Sequence, residues 1–597
     1  MKVIHRLGDK AEKKEGEGSF LLTDKAGTYF SLGSSSNITH MQGLFHLDKN
    51  WNMYKSINNI YLDKEITEIE NNFNHITRRY NESEESFWLT STGLIYEVRN
   101  FFGNVNIDLD FRGIFDYDDK DRKYSMKKKG DMIVINYEKH NKFIAIKGVQ
   151  DYEEVGVWEK ENYSFDKKRN TKNEFYIYKA LRIRCKSKLQ LCFSFSESEK
   201  EAVDNAKSCF LNESILKKTL EIRKNNICKH KRFSSNIASY SLDSLRTTVG
   251  KGNNKITGVF AGLPWFHQFW SRDELISLKA FMMEERFNFV KTRLMNYLDA
   301  MDDTGRLPNR LPSSELNSAD SIGWLFKRFH DFLTILEDKK LLDSYFSQEE
   351  LSAIKHKLHF SIEEHMVRFI EYYIIHNEAK ETWMDTEVKG GDGREGACIE
   401  IQALFLSYFK LMKFLCKHLK LPYYGFAKLE KMFVKKIKEN FYKNGALLDK
   451  LGDRTIRPNV FIAYYAYPEL LTKYEWTFVF NKALRGLWLE WGGLSTIEQS
   501  SPLYQPEYTG ENNLSYHHGD SWFWINNLAA ICLADVNKKK YWHFIEKIYH
   551  SSEKEMMYSG FIGHCSELSS AKEQRSEGCL SQAWSTAMFL ELTKKIE

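Results

Sequence analysis

The sequence predicts a two-part chain, an N-terminal antiparallel β-sandwich followed by an (α/α)6 barrel. Three observations carry this. Up to about residue 200 apolar side chains alternate with period two, and from about residue 233 the period changes to 3.6. All eight prolines lie at or after Pro264, and eleven of the fourteen tryptophans lie in the same C-terminal part, as rigid loops carrying aromatic planes would require. The boundaries read from these changes are 1–200 for the sandwich, 201–232 for a helical linker and 233–597 for the barrel.

The elements follow in order. Asn104–Phe111, Asp131–Tyr137, Lys142–Lys147, Phe175–Cys185 and Lys188–Phe195 read as half-buried strands between Asn, Asp, Gly and Lys turns. Their regular spacing suits packed antiparallel sheets, and the absence of proline leaves every ladder donor in place. The charged stretch 196–229 reads as a connecting helix with its Lys and Glu in solvent. Twelve helices follow, at about 236–250, 271–283, 285–303, 318–337, 348–377, 396–418, 424–442, 457–469, 473–489, 518–534, 538–557 and 580–596. No short sequence repeat suggests a solenoid. Twelve helices therefore fit six inner and six outer ones, paired as αα-hairpins.

Polar and aromatic residues crowd ahead of the even-numbered helices. The stretches are LPWFHQFWSRDE (263–274), GRLPNRLPSSELNSAD (305–320), TWMD (382–385) running to EGACIEI (395–401), DRTIRP (453–458), YQPEYTGENNLSYHHGDSW (504–522) and HCSELSSAKEQRSEGCLSQAW (564–584). Connections ahead of odd helices, such as 284–286, 470–471 and 536–538, are short and plain. Alternate loops of an αα-toroid open on one end, so the six loaded loops are expected to share one rim.

Composition narrows the chemistry. A net charge of +5 on 70.4 kDa offers no field for nucleic acid or a membrane surface. No apolar run reaches the ~18 residues of a spanning helix, and Met1–Lys14 is charged rather than signal-like. Nine cysteines without a CxxC pair suit a reducing cytosol, so a cytoplasmic protein is expected. HExxH, spaced His/Cys sets, GxSxG and GxxxxGKS are all missing, and no metal or organic cofactor is called for. His330–Asp331, in mid-helix, reads as packing. Aromatic planes interleaved with carboxylates and Arg/Asn donors suit a sugar, whose C–H faces stack while its hydroxyls need paired donors and acceptors. Glycoside hydrolysis then needs two carboxyls. Asp273, Asp320, Asp385, Glu400 and Glu567 are the loop-borne candidates. Plainer readings stand beside them: Asp273 as an ion pair, Asp320 and Asp520 as N-caps, and Glu573 or Glu577 in place of Glu567.

In order along the chain, PWFHQFWSRDELISL, GRLPNR with NSAD, TWMD, IEIQAL, RPNVFIA, YHHGDSWFW, and SEL with EGCLSQAWS resemble the amylo-α-1,6-glucosidase module of glycogen debranching enzymes in its short archaeal and bacterial form. Residues 20–45 are similar to that family's opening but lack its Arg-x-Tyr-His-Gly signature. The resemblance implies an (α/α)6 barrel with an N-terminal β-sandwich, and an inverting glucosidase acting on α-1,6 branch points of glycogen or limit dextrin. It implies Asp385 as general acid and Glu567 as general base, their carboxyls about 6.5–9.5 Å apart. A raised Asp385 pKa is expected, from burial beside Trp383 and Met384 and from nearby carboxylates. Arg272 and Asp273 would grip hydroxyls of the terminal glucose. Asn309, Arg310, Asp320, Glu400, Arg457 and His517 would complete the polar shell, and Trp265, Trp383, Trp522 and Trp524 would supply stacking planes. Three departures stand out: Ser271 for the family's glycine, Phe523 for its proline, and Ser566–Glu567–Leu568 for its commoner Glu-Ile-aromatic pattern. No transferase module is expected within these 597 residues. A glucoamylase-like α-1,4-hydrolase, a disaccharide phosphorylase and a glycan-binding protein with a decayed site are the alternatives. The expected partner is an α-glucan, glycogen or branched maltodextrin, with neither nucleic acid nor membrane.

Overall fold

The computed structural model describes residues 1–16, 18–34, 36–250, 255–312, 317–387 and 393–597. They divide into two compact units. One is Met1–His267 with Lys554–Ser566 and Cys579–Ser581; the other is Gln268–Glu553 with Glu567–Gly578 and Gln582–Glu597. The division falls at 267/268 rather than 232/233, because the Phe233–Leu245 helix and the Arg246–Val249 and Ile256–Val259 strands belong to the first unit.

Two long strands, Gly93–Gly113 and Glu174–Ser196, organise the first unit and pair antiparallel along most of their length. The ladder bends where its register slips between Arg99 and Phe101, with Asn100 at φ 55° and Ser187 opposite at φ 84°. The extra residue, Asn100, lies in the first strand, while Ser187 and Lys186 keep partners in Phe101 and Phe102, so the two strands expected at 175–185 and 188–195 are one. The ends then find different neighbours. Residues 93–99 pair with Ser83–Thr90 and residues 105–113 with Met53–Leu62. Residues 192–196 pair with Lys142–Lys147, and 174–183 with Tyr152–Asn162. Fifteen strands thereby stay in one continuous sheet around a core that includes Phe20, Ile57, Leu94, Val105, Ile107, Ile133 and Ile183. Each such buried side chain contributes roughly 1.5–3 kcal/mol.

The stretch expected as a connector is two helices, Glu199–Leu211 and Glu213–Ile227. Ser198 caps the first by accepting the Glu201 N–H. Ala202 and Ala206, four residues apart on one face, lie on Met132, Val134 and Ala145. Cys209 packs with Trp88, Ile95 and Cys192. This segment is a packed layer of the first unit.

The second unit is helical. Its helices include Ser271–Met283, Phe287–Asp299, Ser321–Asp338, Gln348–Arg368, Ile399–His418, Tyr424–Phe441, Asn459–Ala466, Lys473–Leu487, Phe523–Tyr558 and Ala583–Ile596. Phe523–Tyr558 is broken by non-helical Asn537 (φ −163°, ψ 87°). One set packs in succession: Ser271–Met283 on Ser321–Asp338, that on Ile399–His418, and that on Asn459–Ala466. Cys532 Sγ then donates to Phe461 O at 3.4 Å, Trp524 stacks on Trp584, and Ala583–Ile596 returns to Ser271–Met283. Burial separates this set from its neighbours. Ile399–His418 buries 15 of its 20 residues, whereas Tyr424–Phe441 buries 4 of 18, a single stripe.

The helix expected at 348–377 ends at Arg368, and a hairpin pairing Ile370 with Ile375 follows. Its turn residues, Tyr372 and Tyr373, take φ 47° and 66°, the geometry that Asn-Gly normally marks. The usual turn signal is absent from the sequence here. Among the described residues no helix is long and apolar enough to cross a membrane.

Candidate active site

Each loop ahead of the successively packed helices is hydrogen-bonded to the next. Ser271 N–H donates to Asn309 O (2.9 Å), and Phe269–Trp270 ladders with Arg310–Leu311. Ala319 N–H donates to Glu381 O (2.9 Å), and Arg306 Nη1 to Glu381 Oε1 (2.7 Å). Ile399 N–H donates to Asp449 O (3.0 Å). Arg457 Nη1 donates to His517 O (2.7 Å) and Thr496 O (3.2 Å). Lys572 N–H donates to Pro506 O (2.9 Å), and Ser521–Trp522 ladders with Leu568–Ser569. Gln582 Nε2 closes the round on Asp273 Oδ1 (2.9 Å). Within the second unit the loops thus share one rim.

Arg272 is the hub of the charges on that rim. Its Nε donates to Asp320 Oδ2 (2.7 Å), and its Nη1 lies 3.5 Å from Asp385 Oδ2. Asp320 occupies an N-cap position but caps nothing with its side chain; Ser318 Oγ holds its other oxygen at 2.6 Å. It fixes Arg272. His517 Nε2 approaches Asp385 Oδ1 at 3.6 Å. Burial pushes the Asp385 carboxyl up, but His517 and the Arg272 charge outweigh it and hold it below the ordinary value. The expected upward shift is therefore corrected: a neighbouring cation and donor decide, not the adjacent indole. Burial also pulls His517 below its usual value against Asp385. Asp273 goes the other way. Burial pushes it up to about 7, with Arg272 opposing and Glu567 and Asp385 adding to the rise.

Glu567 is 2% exposed and accepts a hydrogen bond from Tyr516 Oη. Burial, Glu567 and then Asp385 push the Tyr516 phenol well above its usual value, so Tyr516 stands within the field of both carboxylates. The rivals in the same loop differ. Glu573 is 61% exposed and pairs with Arg575 at 3.2 Å; Glu577 is buried, with Oε1 3.5 Å from Arg575 Nε. Gly578, at φ 65°, makes room: a Cβ there would lie 2.4 Å from Glu567 Oε2. Two departures have local consequences. Phe523 N–H donates to Glu567 O at 3.3 Å, which a proline could not do. Ser271 Oγ donates to Pro308 O, which a glycine could not do.

Beneath the rim lies an aromatic floor. Trp522 stacks on His517 (5.2 Å, 15°), and Trp383 meets Trp522 and Trp524 edge-on at 5.5 and 5.0 Å. Trp524 has no exposed surface and Trp383 and Trp522 only 2%, so all three indoles are packed as core beneath the rim rather than exposed as stacking planes. Trp265 belongs to the first unit, where the Arg169 guanidinium lies 3.7 Å from its ring centre. Trp383 Nε1 donates to Asn459 Oδ1 (2.6 Å).

Glu400 and Arg457 are buried with this floor. Arg394 grips both Glu400 oxygens (2.9 and 3.1 Å) and Asp449 Oδ2 (3.0 Å), while Asn459 Nδ2 donates to Asp449 Oδ1 (2.8 Å). Burial pushes Glu400 up to about 7, Arg394 opposing and Asp449 adding. The Met384 sulfur lies 3.4 Å from Arg394 Nη1 and 3.6 Å from Asn459 Nδ2, so the network braces the residue before Asp385. Arg310 stays near the Trp270 ring, 5.9 Å from its centre. Among the described residues, Arg272 Nη2, Asn309 Oδ1 and Gln582 Oε1 have no protein partner, leaving donors and acceptors for hydroxyls. Asp331 is held by Lys327 (2.6 Å) and Arg328 (2.7 Å), apart from this group. Tyr516, Gln582, Arg394 and Asp449 carried no signal of their own in the sequence. Tyr516 adjoins His517, but its bond to Glu567 spans 51 positions.

Buried carboxyls, hydroxyl partners and aromatic rings on a helical frame suit a glycoside hydrolase. Residues 227–591, more than half of the chain, match the family described as amylo-alpha-1,6-glucosidase, and the chain belongs to that family. Among solved structures, a bacterial glucoamylase complexed with acarbose is similar over 99% of this chain and 96% of its own, with TM-score 0.60 and 11% identity. That likeness is one of fold. A second solved structure, described as a glycosidase carrying a single substitution, matches over 61% of this chain and 96% of its own, with TM-score 0.44 and 11% identity. No curated protein matches the chain.

Proposed function

We propose that the protein is an inverting hydrolase releasing glucose from α-1,6 branch points of glycogen or limit dextrin. The observation that supports this best is the position of Tyr516, bonded to Glu567 and within the field of Asp385. On this reading the successively packed helices are the inner ring of an (α/α)6 barrel, and the sheet-rich unit is a β-sandwich domain. Asp385 donates its proton to the glycosidic oxygen. Glu567 takes a proton from a water whose oxygen attacks the anomeric carbon from the opposite face, giving β-glucose and a free 6-hydroxyl on the remaining chain. Without substrate, Asp385 favours the carboxylate form. Its side chain is 32% exposed, so a bound sugar displaces water from it and draws Arg272 toward hydroxyls. Both changes raise its proton affinity. Arg272, Asp273, Asn309 and Gln582 are the hydroxyl partners. A neutral glucan suits a nearly neutral protein.

Asp385→Asn and Glu567→Gln are each expected to lower kcat on a branched maltodextrin by about 10²–10⁴-fold, with the thermal midpoint nearly unchanged. Proton NMR of the first product should show β-glucose. Initial release of α-glucose, or degradation of linear chains with branch points left intact, would overturn the reading.

A further inference from the structure

A cavity of about 110 Å³ lies in the helical unit; it is lined by none of Asp385, Glu567, Asp273 or Arg272, and of the site candidates by Arg457 alone. Its walls are the hairpin formed by Tyr442–Lys443 and Ala446–Leu447, residues 454–457, the first turn of Asn459–Ala466, and the middle of Lys473–Leu487. Leu447, Val460, Val479 and Ala483 make its apolar floor. Every charged residue on the wall is a cation: Lys443, Arg454, Arg457 and Lys482.

Of the acids on neighbouring elements, Asp449 is held by Arg394 and Asn459 and also lies 3.8 Å from Arg457 Nε, so it pairs one of the wall cations. Asp453 Oδ1 accepts the Thr455 N–H (2.9 Å), and Glu498 accepts from Ile456 N–H (3.1 Å) and Ser500 Oγ (3.0 Å). Glu475 pairs with Lys438 at 2.8 Å. Among the described residues Arg454 and Lys482 form no ion pair. Arg457 is paired with Asp449 and donates to the His517 and Thr496 carbonyls, which leaves Lys443, Arg454 and Lys482; these like charges around one hollow repel each other, and an anion between them reverses the sign of that interaction. The amide end of Asn459–Ala466, where Val460 lines the wall, adds positive field of its own.

We propose that this cavity binds a phosphate-class anion, either inorganic phosphate or the phosphoryl group of a small phosphorylated sugar. Lys443, Arg454 and Lys482 recognise the oxygens, and the apolar floor meets the body of the ligand. The space suits it, since a cavity of this volume holds several waters or one tetrahedral oxyanion. A neutral glucan has no use for these three cations, so this site is separate from the proposed hydrolytic one.

Titration calorimetry on the full chain tests this without turnover, so its outcome is independent of the hydrolase assignment. The probes are inorganic phosphate and glucose 6-phosphate, each against chloride at matched ionic strength. One saturable site is expected, and Arg454→Glu and Lys482→Glu should each weaken it about tenfold, near 1.4 kcal/mol. Both residues are exposed, so the ligand-free thermal midpoint should stay put. Arg457 is left intact because it also braces His517. Tighter binding of the sugar phosphate assigns the ligand body to the floor; equal binding assigns the site to the phosphoryl group alone. Absence of saturable binding of either probe at millimolar concentration, or unchanged affinity in both charge-reversed variants, overturns the proposal.

Discussion

Asp273→Asn is expected to stabilise the protein at alkaline pH while removing its activity. Asp273 is 5% exposed, and its pKa of about 7 stands well above the ~3.9 of an unfolded aspartate. A carboxyl with a raised folded pKa contributes its full stability below the unfolded value. That contribution is lost as pH rises through the folded one. The window here runs from about pH 4 to pH 7. Asp273 then lowers the folding stability by ~1–2 kcal/mol by pH 5, where only the unfolded chain has lost the proton, and by ~4 kcal/mol by pH 8.5, where the folded protein is ionised too. Glu567 and Asp385 are part of that cost, so the larger figure is an upper bound. Asparagine keeps the shape, and its side-chain oxygen still accepts the Gln582 bond. Urea unfolding of both proteins should show the variant's advantage growing by about 2–3 kcal/mol between pH 5 and pH 8.5. Hydrolysis of a branched maltodextrin should collapse in the same samples, because a hydroxyl acceptor on the rim is lost. An advantage that is equal at both pH values, or that shrinks toward alkaline pH, would show that burial does not hold the proton on Asp273.

Tyr516→Phe removes the donor to a buried carboxylate, a bond worth ~1.5–3 kcal/mol. Steady-state kinetics should show kcat about 10–100-fold lower with KM little changed, and an undiminished kcat would separate Tyr516 from the reaction. Gly578→Ala places a Cβ 2.4 Å from Glu567 Oε2 in a left-handed backbone. It should lose about 1 kcal/mol in urea unfolding and far more in kcat; wild-type turnover would mean that Glu567 can move freely. Tyr372→Asn keeps the left-handed turn with a residue suited to it, at a position 80% exposed. The urea midpoint should rise, by about 0.5–1 kcal/mol of stability, without a change in kcat. A lower midpoint would reveal a contact that compensates for the turn.

The helical half was largely legible because its period is strong and its breaks are sharp. The 271–283 helix falls where the pattern places it, and the break expected at 536–538 is the distortion at Asn537. The linker was misread because its charges are conspicuous, while the alanines that dock it, Ala202 and Ala206, are not. The 369–377 hairpin was missed because two tyrosines occupy a turn that sequence rules reserve for Asn and Gly.

The rim residues could be read as a set, since loop position selects them, but their protonation could not. Asp273 follows Arg272 directly in the chain and could be read as its ion pair; Asp385 is 113 positions away and was expected to have a raised pKa. The structure holds Asp385 below its ordinary value and pushes Asp273 above its own. Asp320 holds Arg272 Nε, which leaves Nη1 toward Asp385, and His517 adds a second donor on the other oxygen. Asp273 feels Arg272 too, but burial and two further carboxylates outweigh it. The direction a guanidinium points is set by whichever acid grips it, here one almost fifty residues downstream. Glu400 follows the same logic. It resembles Asp385 as a loop-borne acid, yet it is gripped by Arg394, whose second partner Asp449 comes from another loop. The bracing of two arginines, rather than order along the chain, therefore decides which acid is held as a carboxylate in the ligand-free protein.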